Sequence, residues 1–322
     1  MAVSFTTLAG WTGIALAAGA KGSEARCLFV SSYHRGNHWS DGIEDGLREA
    51  LGNRCGLRVF YMDSKRNRAP EAIARAGEQA RDLIEQWKPD VVIAADDNAA
   101  RYLVMPWLRG LDLPVVFCGI DWTVEEYGLP YTNATGMVEV APVASLLDLV
   151  RQLLPAAQNA MYLGADTLTE GKNLARTREI AQEKGMQLEA ALVSTTAQWI
   201  EAYRKAQDRD FLIVGNRTGI DNWDSEAVGE ALLRDTRRIS VTSYRAMTPY
   251  SMIGYTKVPE EQGEWAGKLA VRILDGGDPA DYPVVANRRW DIWINPRLLD
   301  AGHIRLPFGI VHRAKWLSGI GR

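Results

Sequence analysis

The sequence predicts an α/β protein made of two similar domains, each with a parallel sheet, and a ligand cleft between them. Short apolar runs alternate with longer amphipathic segments along most of the 322 residues. This alternation is typical of βαβ units, whose strands are buried on both faces. A chain of this length is too long for one small core and suits two domains.

The first half of the chain carries four predicted strands and three predicted helices. The strands cover residues 27–32, 57–62, 91–95 and 115–119, and the helices cover 40–51, 70–87 and 98–108. The segment "NATGMVEVAP" at 133–142 then combines a short strand with a proline and a new helix. We interpret it as the crossing between the halves and expect Glu139 to lie at a hinge between them.

The same alternation restarts in the second half. Strands are predicted at 160–164, 188–193, 211–215, 240–242, 251–256 and 290–294, and helices at 168–184, 196–207, 225–237 and 259–274. We therefore divide the chain into four parts. They are a signal peptide (1–25), an N-terminal α/β domain (26–135), a C-terminal α/β domain (136–255), and a crossover helix with a C-terminal segment that completes both domains (256–322).

The first residues resemble a secretory signal peptide. An apolar run from Leu8 to Ala20 precedes small residues suited to cleavage, and we expect the mature chain to begin between Lys21 and Arg26. No Lys or Arg precedes the run, so a buried N-terminal element is the alternative. Export would permit a disulfide between Cys27 and Cys55, with Cys118 free, although isolated buried thiols fit equally well.

Composition and motifs argue against several functions. The formal net charge is -3, so no basic field predicts nucleic-acid binding. The chain has no nucleophile elbow, no phosphate-binding loop, no dinucleotide fingerprint and no HExxH zinc motif. We therefore expect a protein that is not an enzyme and that needs no cofactor or metal.

Polar and aromatic side chains follow the predicted strand ends in both halves. Because right-handed crossovers put the carboxyl ends of parallel strands on one edge, these side chains should face a shared cleft. Helix capping and core packing explain each residue singly, but their coincidence predicts a ligand site. The candidates are Ser31, Ser32, Tyr33, Trp39, Asp96, Asp97, Asp121 and Trp122 in the first half, Glu139 at the crossing, and Asp166, Asn216, Arg217 and Tyr244 in the second half.

The chemistry of these candidates favours an amine as the ligand. A buried carboxylate needs a charged partner, which an ammonium group supplies, and a neighbouring aromatic face adds cation–π attraction. Arg217 could bind a ligand carboxylate in bidentate fashion. An amino acid or related amine is therefore favoured, while a sugar or nucleoside bound through hydroxyl groups is the alternative.

Several stretches of the sequence resemble the ABC-transporter substrate-binding family, whose members include predicted tryptophan/tyrosine-type binding proteins. They are "SSYHRGNHWSDGIEDGLREAL", "KPDVVIAADDNAA", "LPVVFCGID", "ATGMVEVAPVASLLDLVRQLLP", "GEWAGKLAVRILDGGDPADYPV" and "IWINPRLLDAGHIRLP". The resemblance extends from about Arg26 to Pro307. It implies the type I periplasmic binding fold, with two Rossmann-like domains. The loop "SYHRGNHW" departs from the plainer glycine-rich loop that is common in the family.

The resemblance also implies a cellular role. It predicts an exported, periplasmic and monomeric protein that binds a small molecule, closes on it, and presents it to a membrane permease. In that role Ser31 and Ser32 would hydrogen-bond the ligand, and Tyr33 or Trp39 would cover its flat face. An extracytoplasmic sensor that serves a separate membrane receptor or histidine kinase is the alternative.

Overall fold

The structure, a computed structural model, describes residues 25–317. Residues 1–24 of the predicted signal peptide lie outside the described residues. Most of the range predicted for the start of the mature chain, from Lys21 to Arg26, therefore lies outside them as well. The described part forms two α/β domains on parallel sheets, as the sequence predicts.

The first domain is built on a six-stranded parallel sheet with the order β11-β5-β4-β3-β1-β2. Its strands are β1 (Arg26–Ser31), β2 (Gly56–Tyr61), β3 (Val91–Ala95), β4 (Val115–Asp121), β5 (Ala134–Glu139) and β11 (Val285–Ala286). Its helices are α1 (His38–Leu51), α2 (Pro70–Trp87), α3 (Asp96–Ala99, continuing as a π-helix over Ala100–Leu108) and α8 (Pro259–Leu274). Apolar residues from both faces of this sheet form its cores, which explains the nearly continuous apolar strands.

Two helices that are distant in the sequence pack closely on the outer face of the first sheet. A Cβ on Gly263 of α8 would collide with the carbonyl oxygen of Ile43, and one on Gly46 of α1 would collide with that of Glu260. Glycine is therefore required on both helices for this approach. The contact fixes α8 to the first domain, although the chain reaches α8 only after crossing the second.

The second domain is built on a seven-stranded sheet with the order β13-β12-β10-β9-β8-β6-β7. Only the β10–β12 pair is antiparallel among these strands. Its strands are β6 (Asn159–Ala165), β7 (Gln187–Val193), β8 (Phe211–Val214), β9 (Ile239–Thr242), β10 (Ile253–Lys257), β12 (Trp290–Ile294) and β13 (Lys315–Trp316). Its helices are α4 (Val143–Leu153), α5 (Leu168–Glu183), α6 (Thr196–Ala206), α7 (Ser225–Asp235), α9 (Pro296–Ala301) and α10 (Phe308–Val311).

The chain crosses between the domains three times, after β5, after β10 and between β11 and β12. The sequence predicts the first change of domain at residue 136, but β5 pairs with β4 and belongs to the first sheet. The chain therefore leaves the first domain only after Glu139. In the sequence, the short strand β5 before Pro142 resembles a domain boundary, but its backbone pairing with β4 places it in the first sheet.

Of the two alternatives for Cys27 and Cys55, the structure contains the disulfide. The two Cα atoms are 5.9 Å apart. Cys27 lies in β1, and Cys55 immediately precedes the neighbouring parallel strand β2. Cys118 is buried and free.

Within residues 25–317, no helix combines the length and the apolar character needed to cross a bilayer.

Candidate functional site

Asp96 lies at the carboxyl end of β3, in the middle of the first sheet. It begins α3 with a positive φ of 70° and is only 2% exposed. The indole Nε1 of Trp39 donates a hydrogen bond to Oδ1 at 2.7 Å, while Oδ2 has no hydrogen-bond partner among the described residues. The pKa of Asp96 is raised to about 7, mainly by burial and in addition by the charge of Asp97, while the Trp39 hydrogen bond opposes the shift.

Asp97 and Asp121 lie next to Asp96 but differ in how their oxygens are used. Asp97 accepts hydrogen bonds from the Tyr127 hydroxyl at 2.7 Å and the Asp121 backbone N–H at 3.3 Å. The carboxylate of Asp121 remains accessible and forms no hydrogen bond or ion pair within residues 25–317. Desolvation raises the pKa of Asp121, whereas the charges of Lys257 and Arg176 oppose that shift. Asp121 thus offers a free carboxylate at the strand ends.

Aromatic rings and two lysines adjoin these carboxylates. The Nζ of Lys65 lies 3.8 Å from the centre of the Tyr33 ring, and that of Lys257 lies 5.4 Å from the Trp39 ring. The charge of Asp96 is the largest cause that raises the pKa of Tyr33. The structure therefore brings Tyr33 and Trp39 together with the three aspartates, and it already places cations over both rings.

Ser31 and Ser32, which the sequence predicts to hydrogen-bond a ligand, are both fully buried. The Ser31 hydroxyl donates to the Ser40 hydroxyl at 3.1 Å. The Ser32 hydroxyl donates to the Ala95 carbonyl at 2.6 Å and accepts from the Ala99 N–H at 2.9 Å. These hydroxyls join β1 to α1 and to the start of α3, so their hydrogen bonds are made within the protein.

Glu139 lies at the first crossing and is tied to the second. Its carboxylate forms an ion pair with Lys257, the last residue of β10. The third crossing is joined to the first by Asn287, whose Oδ1 accepts from the Val140 N–H at 2.7 Å. Glu261 accepts from the N–H groups of Arg288 and Arg289, both at 2.8 Å. The three crossings therefore form one hydrogen-bonded region, at the place where the sequence predicts a hinge.

Trp122 extends from the first domain to the second. It follows β4 with a positive φ of 65°, and its ring packs against the second domain's core. Between Trp122 and that domain remains a cavity of about 20 Å³, lined among others by Tyr162, Asn173, Thr177 and Tyr244. This volume accommodates about one water molecule. The guanidinium of Arg176 lies 4.6 Å from the centre of the Trp122 ring.

A buried carboxylate also occurs in the second domain, at Glu170 of α5. Its Oε1 accepts from the Tyr162 hydroxyl at 2.6 Å and the Asn216 N–H at 2.7 Å. Its Oε2 lies 3.5 Å from Nδ2 of Asn173, which donates to the Tyr244 hydroxyl at 2.8 Å. Burial raises the pKa of Glu170, and these donors oppose the shift. The predicted site residue Tyr244 thus belongs to a satisfied network.

The other candidates of the second domain lie apart from Trp122. Asp166 is exposed. The Asn216 side chain accepts from the N–H and hydroxyl of Thr218, both at 2.9 Å. The Arg217 guanidinium lies 5.2 Å from the Trp223 ring centre and 6.0 Å from that of Tyr250, both in the second domain.

Sequence reasoning did not identify Lys65, Glu170, Arg176 or Lys257. Lys257 directly follows the strand predicted at 251–256, so the strand-end rule could have found it. Arg176 and Glu170 lie within a helix, where nothing in the sequence marks them. In the described part of the chain, no cluster of three or more His, Cys, Asp or Glu side chains could hold a metal ion.

Comparison with solved structures shows the fold. A ligand-free, open structure of CD0873, a substrate binding protein with adhesive properties from Clostridium difficile, has a TM-score of 0.72 and 15% identity. An ABC domain from Streptococcus pneumoniae in complex with L-Trp has a TM-score of 0.62 and 19% identity. Each match covers 91% of this chain and 99% of the other. A periplasmic ribose ABC transporter structure from Conexibacter woesei has a TM-score of 0.57 and 14% identity, over 86% and 94% of the two chains.

Among proteins of curated function, none matches the chain in sequence. The family model described as "ABC transporter substrate binding protein" matches residues 34–316, which is most of the chain. With a two-domain fold and a cleft rich in carboxylates and aromatic rings, the chain therefore belongs to the ABC transporter substrate binding protein family.

Proposed function

We propose that the protein is the exported solute-binding component of an ABC-type uptake system and that it binds a small amine, with an amino acid favoured. The ligand lies between the domains, which close on it and present it to a membrane permease from the periplasm. The protein works as a monomer and carries out no chemistry on its ligand.

The amine assignment rests on carboxylate oxygens at the edge of the first sheet that have no hydrogen-bond partner. Asp121 has no side-chain partner within the described residues, and Asp96 keeps one oxygen without a hydrogen bond. Asp96 is buried, and an unpaired carboxylate removed from water costs on the order of 1–3 kcal/mol. Closure of the domains on a ligand would remove the exposed Asp121 from water as well. A ligand ammonium supplies both the charge and the donors that would offset this cost.

The lysines nearby do not supply the missing partner. Lys257 is engaged with Glu139 at the hinge. Lys65 lies over the ring of Tyr33 and forms no ion pair within the described residues. The four carboxyl groups of Asp96, Asp97, Asp121 and Glu139 therefore outnumber the nearby cations, which are Lys65, Lys257 and Arg176, and of these cations only Lys257 forms an ion pair within the described residues. Cations of the protein already lie over one face of the rings of Tyr33, Trp39 and Trp122. A ligand ammonium at a face that they leave open would gain cation–π attraction on the order of 0.5–2 kcal/mol.

The hinge region supports binding by closure. Three short crossings are the only covalent links between the domains within residues 25–317, while Trp122 makes an aromatic contact across the cleft. Parting the domains about the crossings would release Trp122 and open the strand ends to a ligand. The fold is shared with the L-Trp complex from Streptococcus pneumoniae, which is compatible with an amino acid of that size.

Calorimetry with L-tryptophan, tyrosine and ribose, combined with X-ray scattering, tests this function. We expect an amino acid to bind one to one and to make the protein more compact. Binding of ribose without binding of any amine would overturn the amine assignment. An amino acid that binds without changing the radius of gyration would contradict closure.

A further inference from the structure

Arg176 is a cation of the second domain that faces the cleft. It lies in the middle of α5, is half-buried, and stacks over the ring of Trp122 from the opposite domain. Within residues 25–317 its guanidinium forms no hydrogen bond and no ion pair. Stacking uses only the face of the guanidinium, so the N–H groups at its edge stay free for a planar anion.

Arg176 lies beside the cavity under Trp122. Asn173, three residues before it and therefore on the same face of the helix, lines that cavity, as does the next residue, Thr177. Both of these side chains already hydrogen-bond within the second domain, so Arg176 is the polar group with free donors here. Across the cleft, Asp121 is close enough for the Arg176 charge to oppose the upward shift of its pKa. A positive group of one domain therefore faces a free negative group of the other.

Arg217, which the sequence suggested for a carboxylate, is placed differently. Its guanidinium packs over Trp223 and Tyr250, and both of these rings belong to the second domain. Trp223 in turn packs edge-on against the buried Trp199, so Arg217 covers the second domain's own aromatic cluster. Arg176 is the arginine that contacts the opposite domain.

The geometry points to Arg176 as the residue that binds a carboxylate of the ligand and so selects amino acids over simple amines. This inference rests on the proposed function, because it places the ligand in the same cleft. The ammonium lies at Asp121 on the first domain, and the carboxylate lies at Arg176 on the second. One zwitterion then links the two domains, and only the closed form satisfies both of its charges.

A different role for Arg176 would be to hold the cleft shut through Trp122, without contacting the ligand. The two roles differ in their dependence on ligand chemistry. A latch affects every ligand that needs closure, whereas a carboxylate-binding residue affects only ligands that carry one. Removing the arginine also takes away one of the two cations near Asp121, while Lys257 remains, so the binding of a simple amine should be unchanged or slightly tighter.

Titration calorimetry with three related probes separates these roles. The probes are L-tryptophan, tryptamine, which lacks the carboxylate, and indole-3-propionate, which lacks the ammonium. The proteins are the wild type, Arg176→Gln and the matched control Arg217→Gln. We expect the wild type to bind L-tryptophan at least tenfold more tightly than tryptamine. Arg176→Gln should weaken L-tryptophan about 30-fold and leave tryptamine within threefold, and Arg217→Gln should leave both within threefold.

The inference is overturned if Arg176→Gln leaves L-tryptophan binding intact, weakens tryptamine equally, or if the wild type binds none of the three probes. The probes also separate this inference from the proposed function. Binding of indole-3-propionate through Arg176, without binding of tryptamine, keeps the carboxylate site and removes the amine assignment. Tight binding of tryptamine, with no preference for L-tryptophan, keeps the amine assignment and removes the role of Arg176.

Discussion

Each domain carries a buried carboxyl group at the carboxyl edge of its sheet, and the two differ in how they are satisfied. In the second domain both oxygens of Glu170 have donors, from Tyr162, Asn216 and Asn173. In the first domain one oxygen of Asp96 has none, and the neighbouring Asp121 has no partner at all within the described residues. Buried carboxyl groups at the same edge of the two sheets therefore differ: the oxygens of Glu170 are satisfied within its own domain, whereas the first domain keeps carboxylate oxygens that our proposal assigns to the ligand.

The space left by neighbouring glycines also differs between Glu170 and Asp96. A Cβ on Gly215 would collide with Oε1 of Glu170, and one on Gly164 would approach the same carboxyl group at 2.8 Å. Beside Asp96, a Cβ on Gly119 would lie 3.0 Å from Oδ1. The Glu170 network thus leaves no room on two sides, as expected for a packed structural element.

The largest effect should come from breaking the satisfied network. Glu170→Ala removes the acceptor of a tyrosine hydroxyl and of a backbone N–H, which are left buried. We expect the free energy of unfolding to fall by about 4 kcal/mol, with ligand affinity of the remaining folded protein nearly unchanged. Hydrogen exchange should show the loss of protection in β6 and β8, with β1 and β3 unaffected. Equal loss in both domains would mean that Glu170 does not act within its own domain.

The disulfide gives a second way to separate the domains, because all three cysteines lie in the first. The bond between Cys27 and Cys55 spans 28 residues. Replacing both cysteines by alanine should cost about 3 kcal/mol, since the unfolded chain regains the freedom of that loop. Protection from exchange should fall in β1 and β2 but not in the second sheet. Cys118→Ala is the control, and an equal loss of stability in it would show that small-side-chain packing, not the bond, is being measured.

The unsatisfied carboxyl group should make stability depend on pH. Asp96 has a pKa of about 7 in the folded protein, raised by burial above its ordinary value of 3.8. The folded state then binds more protons than the unfolded state between those values. This contribution to stability is complete below about pH 4 and is lost as the pH rises to about 7. Asp96→Asn should remove this loss and flatten the dependence of stability on pH.

Urea unfolding between pH 4 and pH 8 measures this dependence for the wild type, Asp96→Asn and Glu125→Gln. Glu125 is exposed, so Glu125→Gln removes one negative charge, as Asp96→Asn does, without changing a buried group. Parallel pH profiles for the wild type and Asp96→Asn would show that Asp96 is ionised alike in both states.

The regular elements were well predicted from local patterns. The helices at 70–87 and 259–274 and the strand at 91–95 have the predicted bounds, because each helix begins with a proline at its first position and the strand is apolar throughout. The helix predicted at 98–108 begins earlier, at Asp96, and continues as a π-helix through Pro106. Neither the positive φ of Asp96 nor the wider helix has a periodic signal in the sequence.

The site was only partly predictable. Topology alone places Asp96, Asp97, Asp121 and Trp122 at one edge, so the strand-end rule found them. It could not show that Ser31 and Ser32 turn inward, since that depends on Ser40 and Ala95 meeting them in space. Arg176 contacts Trp122 of the opposite domain, and Lys257 pairs with Glu139 at the crossings. Contacts between residues so distant in sequence leave no local pattern.

Calorimetry on Asp121→Asn beside Glu125→Gln tests most directly the central claim, that the free carboxylates of the first domain hold the ligand. Both substitutions remove one negative charge from an exposed position near the end of β4. With L-tryptophan as the probe, we predict that Asp121→Asn binds about 30-fold more weakly, a change of about 2 kcal/mol, and that Glu125→Gln binds within twofold of the wild type. If Asp121→Asn binds as tightly as the wild type, the ligand is not held by this carboxylate and the account is wrong.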